Sequence, residues 1–240
     1  MSNRTVAFID PSTFDFDPFG DALAMTDKVM DPSPPHVEPC GEAPAIAVFT
    51  RDFRVHDNPS LAAAEACGRP SVSLFVLDDR LLSGPRPPIR RLRFLGEALR
   101  DLDHSLRSRG GGLVIRRGNW AAEVIDTAAA VGAREIHLAD DHSAFAVDRF
   151  RQLEAIAIDT KSEVCRHPGV AVVPPAVLEP TGGGEYKVFT PYYRRWSTAD
   201  WRLIQPVPKQ LAGPDLQSGH NLLDVLPPST NESGIVGGET

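Results

Sequence analysis

The sequence predicts a doubly wound α/β domain built on five parallel strands. Two observations support this fold class. Short apolar runs alternate with longer helix-forming segments along residues 45–166, which is the pattern of strands joined by crossover helices. Polar residues follow the apolar runs, as they do where the carboxyl ends of parallel strands form one edge of a sheet. Because crossover connections are right-handed, we expect helices on both faces of the sheet.

The first predicted strand and helix are joined by a polar turn. The apolar run at residues 45–49 stops at the polar residues 50–52. Asn58 fits a helix N-cap, because its side-chain oxygen can accept a free backbone N–H of the first turn. Pro59 fits the first helical position, where the N–H that it lacks has no partner in any case. Together they predict a strand, a loop and a helix, the first half of a βαβ unit.

The next predicted strand, Val72–Leu77, is a continuous apolar run of the kind that is buried on both faces of a parallel sheet. Asp78 and Asp79 end this strand in a polar loop. The spacing of leucines then predicts an amphipathic helix over Ile89–Ser108, because residues three and four apart share one face of a helix. The apolar face of this helix consists of Leu92, Leu95, Leu99, Leu102 and Leu106.

Three glycines, Gly110–Gly112, separate this helix from the third strand, which begins at Leu113–Ile115. They precede a strand instead of following one, so they predict a helix stop and not a phosphate-binding loop. The remaining elements alternate in the same way. They are a helix over Trp120–Val131, a strand over Glu135–Ala139, a helix over Ala146–Ile158 and a strand over Glu163–Arg166.

Composition and charge divide the chain into three parts. Residues 1–44 are acidic and show no sustained hydrophobic period, which predicts a disordered leader. Residues 45–202 form the α/β domain, and the proline- and glycine-rich residues 203–240 are interpreted as an interdomain linker. The net charge is −6 over residues 1–42, +2 over residues 43–202 and −3 over residues 203–240. This balance argues against strong non-specific DNA binding by the chain alone, which needs a basic face.

The three cysteines, Cys40, Cys67 and Cys165, have no paired spacing, so we expect reduced thiols in a cytoplasmic protein and no metal site. No apolar run reaches the ~20 residues that a membrane span requires. The amino terminus also lacks a basic region followed by an apolar core, which a secretory signal would contain.

The turn after the first strand carries a motif with many fixed positions. Residues 48–61, VFTRDFRVHDNPSL, contain the pattern R-D-x-R-x-x-D-N, formed by Arg51, Asp52, Arg54, Asp57 and Asn58. This stretch resembles the opening signature of the DNA photolyase/cryptochrome family, whose amino-terminal α/β domain starts with a strand, this motif and a helix. The GGE at residues 237–239 resembles the entrance to that family's helical FAD-binding domain. The resemblance implies the strand order 3-2-1-4-5, and a catalytic domain that is absent here.

The resemblance also implies a binding site. In open α/β sheets, ligands bind outside the carboxyl ends of the strands, where the strand order reverses. In the implied order, that point lies between strands 1 and 4, at the loops of residues 50–57 and 140–145. In many photolyases this domain binds an antenna chromophore, which passes excitation energy to the catalytic FAD. The residues that the resemblance places at this pocket are Thr50, Arg51, Asp52, Leu77, Asp78 and Asp141.

The resemblance implies 8-hydroxy-5-deazaflavin as the chromophore, with methenyltetrahydrofolate or FMN as alternatives. Two positions depart from the family pattern. Relatives often have Asn-x-Asp after the fourth strand, and here Ala139 stands in the asparagine position. Ser143 stands where some members have a carboxylate. For each carboxylate of the pocket, the alternative role is helix N-capping or solvation of a loop.

No set of residues for acid–base or nucleophilic catalysis stands out in the sequence. His142 is the only histidine in a predicted crevice loop, whereas His137 alternates with buried positions in a strand, which favours a structural role. In the family, light-driven repair of pyrimidine dimers depends on FAD in the helical domain. We therefore expect no deoxyribodipyrimidine photolyase activity from this chain alone.

An aromatic and basic segment at residues 188–196 supports a second class of function. Its apolar side chains predict an exposed patch of the kind that marks interfaces, formed by Val188, Phe189, Tyr192, Tyr193 and Trp196. Such a patch suits a non-enzymatic partner module that completes a separate helical, FAD-binding chain. A decayed gene fragment is a third hypothesis, because the asparagine is missing at position 139 and the sequence stops in the linker.

Overall fold

A computed structural model shows the arrangement of most of the chain after residue 42. It describes residues 43–82, 89–169, 171–173, 178, 180, 184, 186–213, 216, 226–227 and 237–239. The predicted leader lies almost entirely outside the described residues, and so do large parts of the predicted linker.

Five parallel strands form one sheet in the order β3-β2-β1-β4-β5. The strands are β1 (Ala45–Phe49), β2 (Ser71–Asp78), β3 (Leu113–Gly118), β4 (Glu135–Ala139) and β5 (Glu163–His167). The central strand β1 pairs with β2 on one side and with β4 on the other. Every residue of β1 and β2 is buried, as their continuous apolar runs predict. The predicted fold class and strand order are confirmed.

The helices of the described part are α1 (Pro59–Ala64), α2 (Asp79–Leu82), α3 (Ile89–Arg107), α4 (Trp120–Val131), α5 (Ala144–Thr160) and α6 (Phe189–Ser197). Side chains of Asn58, Asn119 and Ser143 cap α1, α4 and α5 by accepting backbone N–H groups of the first turn. The cap at Ser143 lets α5 begin two residues before the predicted start at Ala146. None of the helices in the described ranges is long and apolar enough to cross a membrane.

The sheet separates two apolar cores. On one face, Ile46 and Val48 of β1 pack with buried residues of α4 and α5, including the fully buried Trp120. On the other face, Phe49 and neighbouring strand residues pack with α1 and with the leucine stripe of α3. Because successive residues of β1 alternate between these two cores, the strand needs apolar side chains at every position.

Part of the predicted linker packs against the domain. Leu211 and Leu226 are 5% and 4% exposed and join the core on the α3 face. The backbone N–H of Ser71, at the start of β2, donates to the carbonyl of Ala212 at 2.6 Å. This segment therefore contributes buried area to the domain, in addition to any connecting role.

The GGE motif forms a clip that joins the carboxyl-terminal part of the chain to α3 and to the turn after β1. The Glu239 carboxylate accepts the backbone N–H groups of Val55 and His56 at 3.0 and 3.2 Å. The N–H of Gly237 donates to Glu97 on α3. A Cβ at residue 237 would lie 2.3 Å from the main-chain oxygen of Phe94, so only glycine fits this approach.

Helix α6 presents aromatic side chains to solvent. Val188 and Phe189 are 63% and 71% exposed. The rings of Phe189 and Tyr193 are stacked with centroids 5.7 Å apart, and Tyr193 stacks in turn on Trp196 at 6.1 Å. Pro191 lies in the first turn of the helix, where a missing N–H is tolerated. The predicted patch is therefore arranged along one short helix.

Candidate functional site

A small cavity lies where the strand order reverses, between the turn after β1 and the start of α5. Its volume is about 170 Å³. Its lining consists of Thr50, Arg51, Leu81, Asp141, Ser143, Phe145, Ala146, Arg149 and Phe150. A larger cavity of about 490 Å³ lies at the opposite, amino edge of the strands, against Ser71 and Leu113. We assign the candidate site to the smaller cavity, because ligands of open α/β sheets bind at the carboxyl edge.

Three of the six predicted site residues meet at this cavity. The Arg51 guanidinium donates to Oδ2 of Asp141 at 2.7 Å, and Oδ1 of Asp141 accepts the N–H of Ser143 at 2.8 Å. Burial opposes the charged form of Asp141, but the N–H of Ser143 and the Arg51 guanidinium outweigh it, so the pKa of Asp141 is lowered. The hydroxyl of Thr50 is buried and has no hydrogen-bond partner among the residues that the structure describes. The cavity therefore combines a fixed ion pair with an unsatisfied hydroxyl.

Asp52 does not line the cavity. Its side chain is buried at 3% exposure, where it accepts the N–H of Thr50 at 3.1 Å and lies 3.3 Å from the amide nitrogen of Asn58. Burial raises the pKa of Asp52. These contacts fold the turn, and the same turn is held from outside by Arg202, which donates to both oxygens of Asp57 at 2.5 and 2.6 Å.

Leu77 and Asp78 lie at the end of β2, behind the cavity wall. Leu77 is 1% exposed and packs in the core on the α3 face. Asp78 is also 1% exposed, and its oxygens accept the backbone N–H and the guanidinium of Arg80 at 2.9 and 3.1 Å. These bonds turn the chain into α2, where the sequence predicted only a loop. Arg80 also donates to Asp148 of α5 at 2.9 Å, so Asp78 positions α5 indirectly.

Arg149 is a site residue that the sequence analysis missed. It is 7% exposed, and its guanidinium lies 4.1 Å from the ring centre of Trp120 and 5.2 Å from that of Phe145. Burial lowers the pKa of Arg149 to about 10, so it stays charged at neutral pH. The signal in the sequence was a charged residue in the buried stripe of α5, whose other members include Ala146, Phe150 and Leu153.

His142, the predicted crevice histidine, is exposed and lines a separate shallow cavity of about 250 Å³ with Arg166 and His167. It lies between Asp141 and Ser143 in the loop before α5, but its own side chain is not part of the lining of the smaller cavity. Within the described ranges, no group of three His, Cys, Asp or Glu side chains could hold a metal ion.

A buried polar cluster lies under α1, between the amino end of β4 and the carboxyl end of β5. The Arg69 guanidinium contacts Glu135 at 2.7 Å and Nε2 of His137 at 3.0 Å. Nδ1 of His137 lies 2.9 Å from Nε2 of His167. Since Arg69 can only donate, a neutral His137 accepts at Nε2 and donates from Nδ1 to His167. His137 therefore has the structural role that its strand position predicted.

The comparisons with known proteins agree with this architecture. The family model for DNA photolyase matches residues 45–212. A deoxyribodipyrimidine photo-lyase from Streptomyces griseus is 38% identical over 177 residues, which cover 71% of this chain and 38% of that protein. An uncharacterized 31.6 kDa protein from Synechococcus is 28% identical over 185 residues, which cover 77% of this chain and 64% of that protein. The chain thus spans well under two thirds of the length of the first relative, and slightly less than two thirds of the second.

Solved structures show the same fold. A bacterial class III photolyase from Agrobacterium tumefaciens superposes with a TM-score of 0.68 at 24% identity, over 80% of this chain and 39% of that one. An archaeal photolyase from Sulfolobus tokodaii, solved with two FAD molecules, superposes with a TM-score of 0.61 at 22% identity, over 71% of this chain and 38% of that one. Because the family match spans all five strands of a sheet with this order, the chain belongs to the DNA photolyase family.

Proposed function

We propose that the cavity between the turn after β1 and α5 binds a light-harvesting chromophore, and that the chain is the antenna domain of a photolyase. One observation carries this proposal. At the switch point of the sheet, the cavity combines apolar and aromatic walls with polar groups of Thr50, Arg51 and Asp141. Flat heteroaromatic ligands need this combination, since apolar walls hold the ring and a few polar groups set its orientation.

The buried hydroxyl of Thr50 has no partner among the described residues. This supports a ligand with polar ring atoms, because buried polar groups are normally hydrogen-bonded. The volume of about 170 Å³ is below the ~300–1,000 Å³ of sites that enclose a whole small molecule. The cavity therefore suits one ring system, with the rest of the ligand outside it, near Arg51, whose side chain is 59% exposed. When bound, such a ring would absorb light and pass the excitation to FAD.

Among known antenna chromophores, 8-hydroxy-5-deazaflavin is our first choice, with FMN and methenyltetrahydrofolate as alternatives. Titration of the purified chain with 8-hydroxy-5-deazariboflavin, FMN and methenyltetrahydrofolate, followed by absorption and fluorescence, tests the proposal. We expect one of the three to bind, and Asp141→Asn to weaken that binding about tenfold or more, because it loosens Arg51. Asp126→Asn, an exposed position on α4, is the matched control. A wild-type chain that binds none of the three would overturn the proposal.

Repair of DNA is not expected from this chain alone. Catalysis in the family is carried by FAD, and the chain spans only 38% of its Streptomyces griseus relative. The test is survival of a repair-deficient bacterial host after ultraviolet irradiation, with and without blue light, when only this chain is expressed. Light-dependent recovery of survival would show that the chain repairs dimers by itself.

A second candidate function is that of a module that completes a separate FAD-binding chain. The aromatic surface of α6 favours it, since Phe189 is 71% exposed and Tyr192 and Tyr193 are 37% and 39% exposed. Together with Val188 and Trp196 they form the surface that such a helical chain would cover. Co-expression with the remainder of the Streptomyces griseus photo-lyase, followed by size-exclusion chromatography, tests this. If the two chains elute together and Phe189→Ser abolishes this, the result supports the module function. If the wild-type chains elute separately, the result argues against it.

A further inference from the structure

The side chain of Arg149 is buried and makes no hydrogen bond to the residues that the structure describes. Its Nε has no partner in the described part of the chain, although the residue is only 7% exposed. The nearest carboxylate oxygen, Oδ2 of Asp78, lies 4.0 Å from Nη1, which is beyond hydrogen-bonding distance. A buried charged donor that lacks an acceptor is costly, so its presence calls for an explanation.

Arg149 and Asp78 form a buried ion pair, but its length of 4.0 Å leaves the guanidinium without a hydrogen bond to that carboxylate. Asp78 could have served as its acceptor, but both oxygens of Asp78 accept hydrogen bonds from Arg80. The other nearby carboxylate, Asp141, accepts from Arg51 and from the N–H of Ser143. The two carboxylates that face Arg149 are thus occupied by other donors, while the guanidinium itself lines the cavity.

The surroundings of Arg149 favour a ring over a phosphate group as its partner. The guanidinium lies over the rings of Trp120 and Phe145, and the cavity walls beside it include the apolar side chains of Leu81 and Phe150. An aromatic ring packs well against such walls. A phosphate is better served by the exposed Arg51 at the mouth of the cavity.

We propose that Arg149 determines the ligand specificity of the cavity by donating hydrogen bonds to a negatively charged oxygen on the bound ring. This inference rests on the proposed chromophore-binding function and adds the chemistry of its ligand. A ring with an ionised hydroxyl supplies the acceptor that the described residues do not provide. A ring of the same shape without this oxygen leaves the buried guanidinium without an acceptor, so it binds more weakly than the hydroxylated ring.

Two probes that differ by one hydroxyl test the proposal, namely 8-hydroxy-5-deazariboflavin and 5-deazariboflavin. We expect the wild-type chain to prefer the hydroxylated probe by about tenfold or more. We also expect it to lower the apparent pKa of the probe's ring hydroxyl, read from the absorption spectrum as the pH is varied. Both effects should disappear in Arg149→Met and persist in part in Arg149→Lys, which keeps the charge but not the planar donor group.

Arg151→Met is the matched control, because Arg151 lies on the same helix with an exposed side chain. It should behave as the wild type in both measurements. Methionine at position 149 keeps the aliphatic contact with Trp120 and removes an unsatisfied donor. We therefore expect the thermal midpoint of ligand-free Arg149→Met to stay within about 3 °C of the wild type. If Arg149→Met fails to fold, the test is made with Arg149→Lys instead. A preference for the hydroxylated probe as strong in Arg149→Lys as in the wild type would then overturn the proposal.

The possible failures are distinguishable. If the wild-type chain binds neither probe, FMN nor methenyltetrahydrofolate, the chromophore-binding function itself is overturned, and this inference falls with it. If the wild type binds the probes, but Arg149→Met keeps the same preference and the same pKa of the ring hydroxyl, the role of Arg149 alone is overturned.

Discussion

Replacing His137 by asparagine should reduce the dependence of domain stability on pH. His137 is 4% exposed and is surrounded by Arg69, Glu135 and His167. Asparagine does not titrate, and its amide oxygen can still accept a hydrogen bond from Arg69. The substitution therefore removes the proton-binding group while it keeps an acceptor at that place.

The expected magnitude follows from the pKa of His137, which is lowered from 6.5 to about 4, mainly by burial and then by the neighbouring His167 and Arg69. The unfolded chain takes up a proton as the pH falls through 6.5, whereas the folded protein does so only near pH 4. The stability that neutral His137 contributes is therefore complete above pH 6.5 and is lost as the pH falls toward 4. Between about pH 7 and pH 5, this loss amounts to roughly 2 kcal/mol.

A pH curve of the wild type alone does not isolate this effect, because Glu65 acts in the opposite direction. Burial raises the pKa of Glu65 to about 7, so the folded protein holds that proton more tightly than the unfolded chain. Its contribution to stability therefore grows as the pH falls from 7 toward 4.5. The contribution of Glu65 cancels when the wild type is compared with His137→Asn at both pH values.

The assay is urea denaturation at about pH 7 and pH 5, followed by the fluorescence of the tryptophans, which include the fully buried Trp120. On going from the higher to the lower pH, the wild type should lose about 2 kcal/mol more than His137→Asn. His104→Asn, at an exposed position of α3, should lose as much as the wild type. Equal losses in the wild type and His137→Asn, within about 0.5 kcal/mol, would refute the assignment of a neutral, buried His137.

Three further predictions concern stability. Arg202 lowers the pKa of Asp57 to about 2, so the stability that this ion pair contributes is present above the ordinary pKa of 3.8 and is lost as the pH falls toward 2. Asp57→Asn should thus cost about 1 kcal/mol at neutral pH and clearly less near pH 2, where about half of the folded molecules carry a protonated Asp57. Urea denaturation measures both costs, and an equal cost at the two pH values would contradict the pairing. Gly237→Ala should open the GGE clip, and hydrogen exchange of the amides that Glu239 binds should become faster. The control is Gly112→Ala, where a Cβ meets nothing closer than 3.9 Å, and it should leave this exchange unchanged. Leu99→Ala, at a fully buried position of α3, should lower the free energy of unfolding by about 2–5 kcal/mol, and a loss below about 1 kcal/mol would contradict its place in the core.

The fold could be predicted from the sequence because its signals are local. The cap at Asn58 and the proline that follows it specify the start of α1 within a few residues. The continuous apolar run of β2 specifies burial on both faces. Helix α6 was not predicted from the sequence, because Pro191 and a cluster of aromatic residues are not typical of a helix interior. That proline lies in the first turn, where it is tolerated.

The candidate site was predicted less completely, because its interactions connect distant parts of the chain. Thr50, Arg51 and Asp141 could be placed together from the strand order, since they follow neighbouring strands. The role of Arg149 depends on Trp120 from another helix and on the occupation of Asp78 by Arg80. Periodicity along a single helix carries no information about such contacts.

The clip formed by Gly237 and Glu239 has a practical consequence for work with this protein. Glu239 is bonded to the amides of Val55 and His56, a few positions along the same turn from Arg51, which forms the rim of the candidate cavity. A substitution at Glu239 therefore removes the acceptor of those two amides and loosens the turn that carries Arg51. Ligand measurements are therefore best made on chains in which Gly237 and Glu239 are both intact.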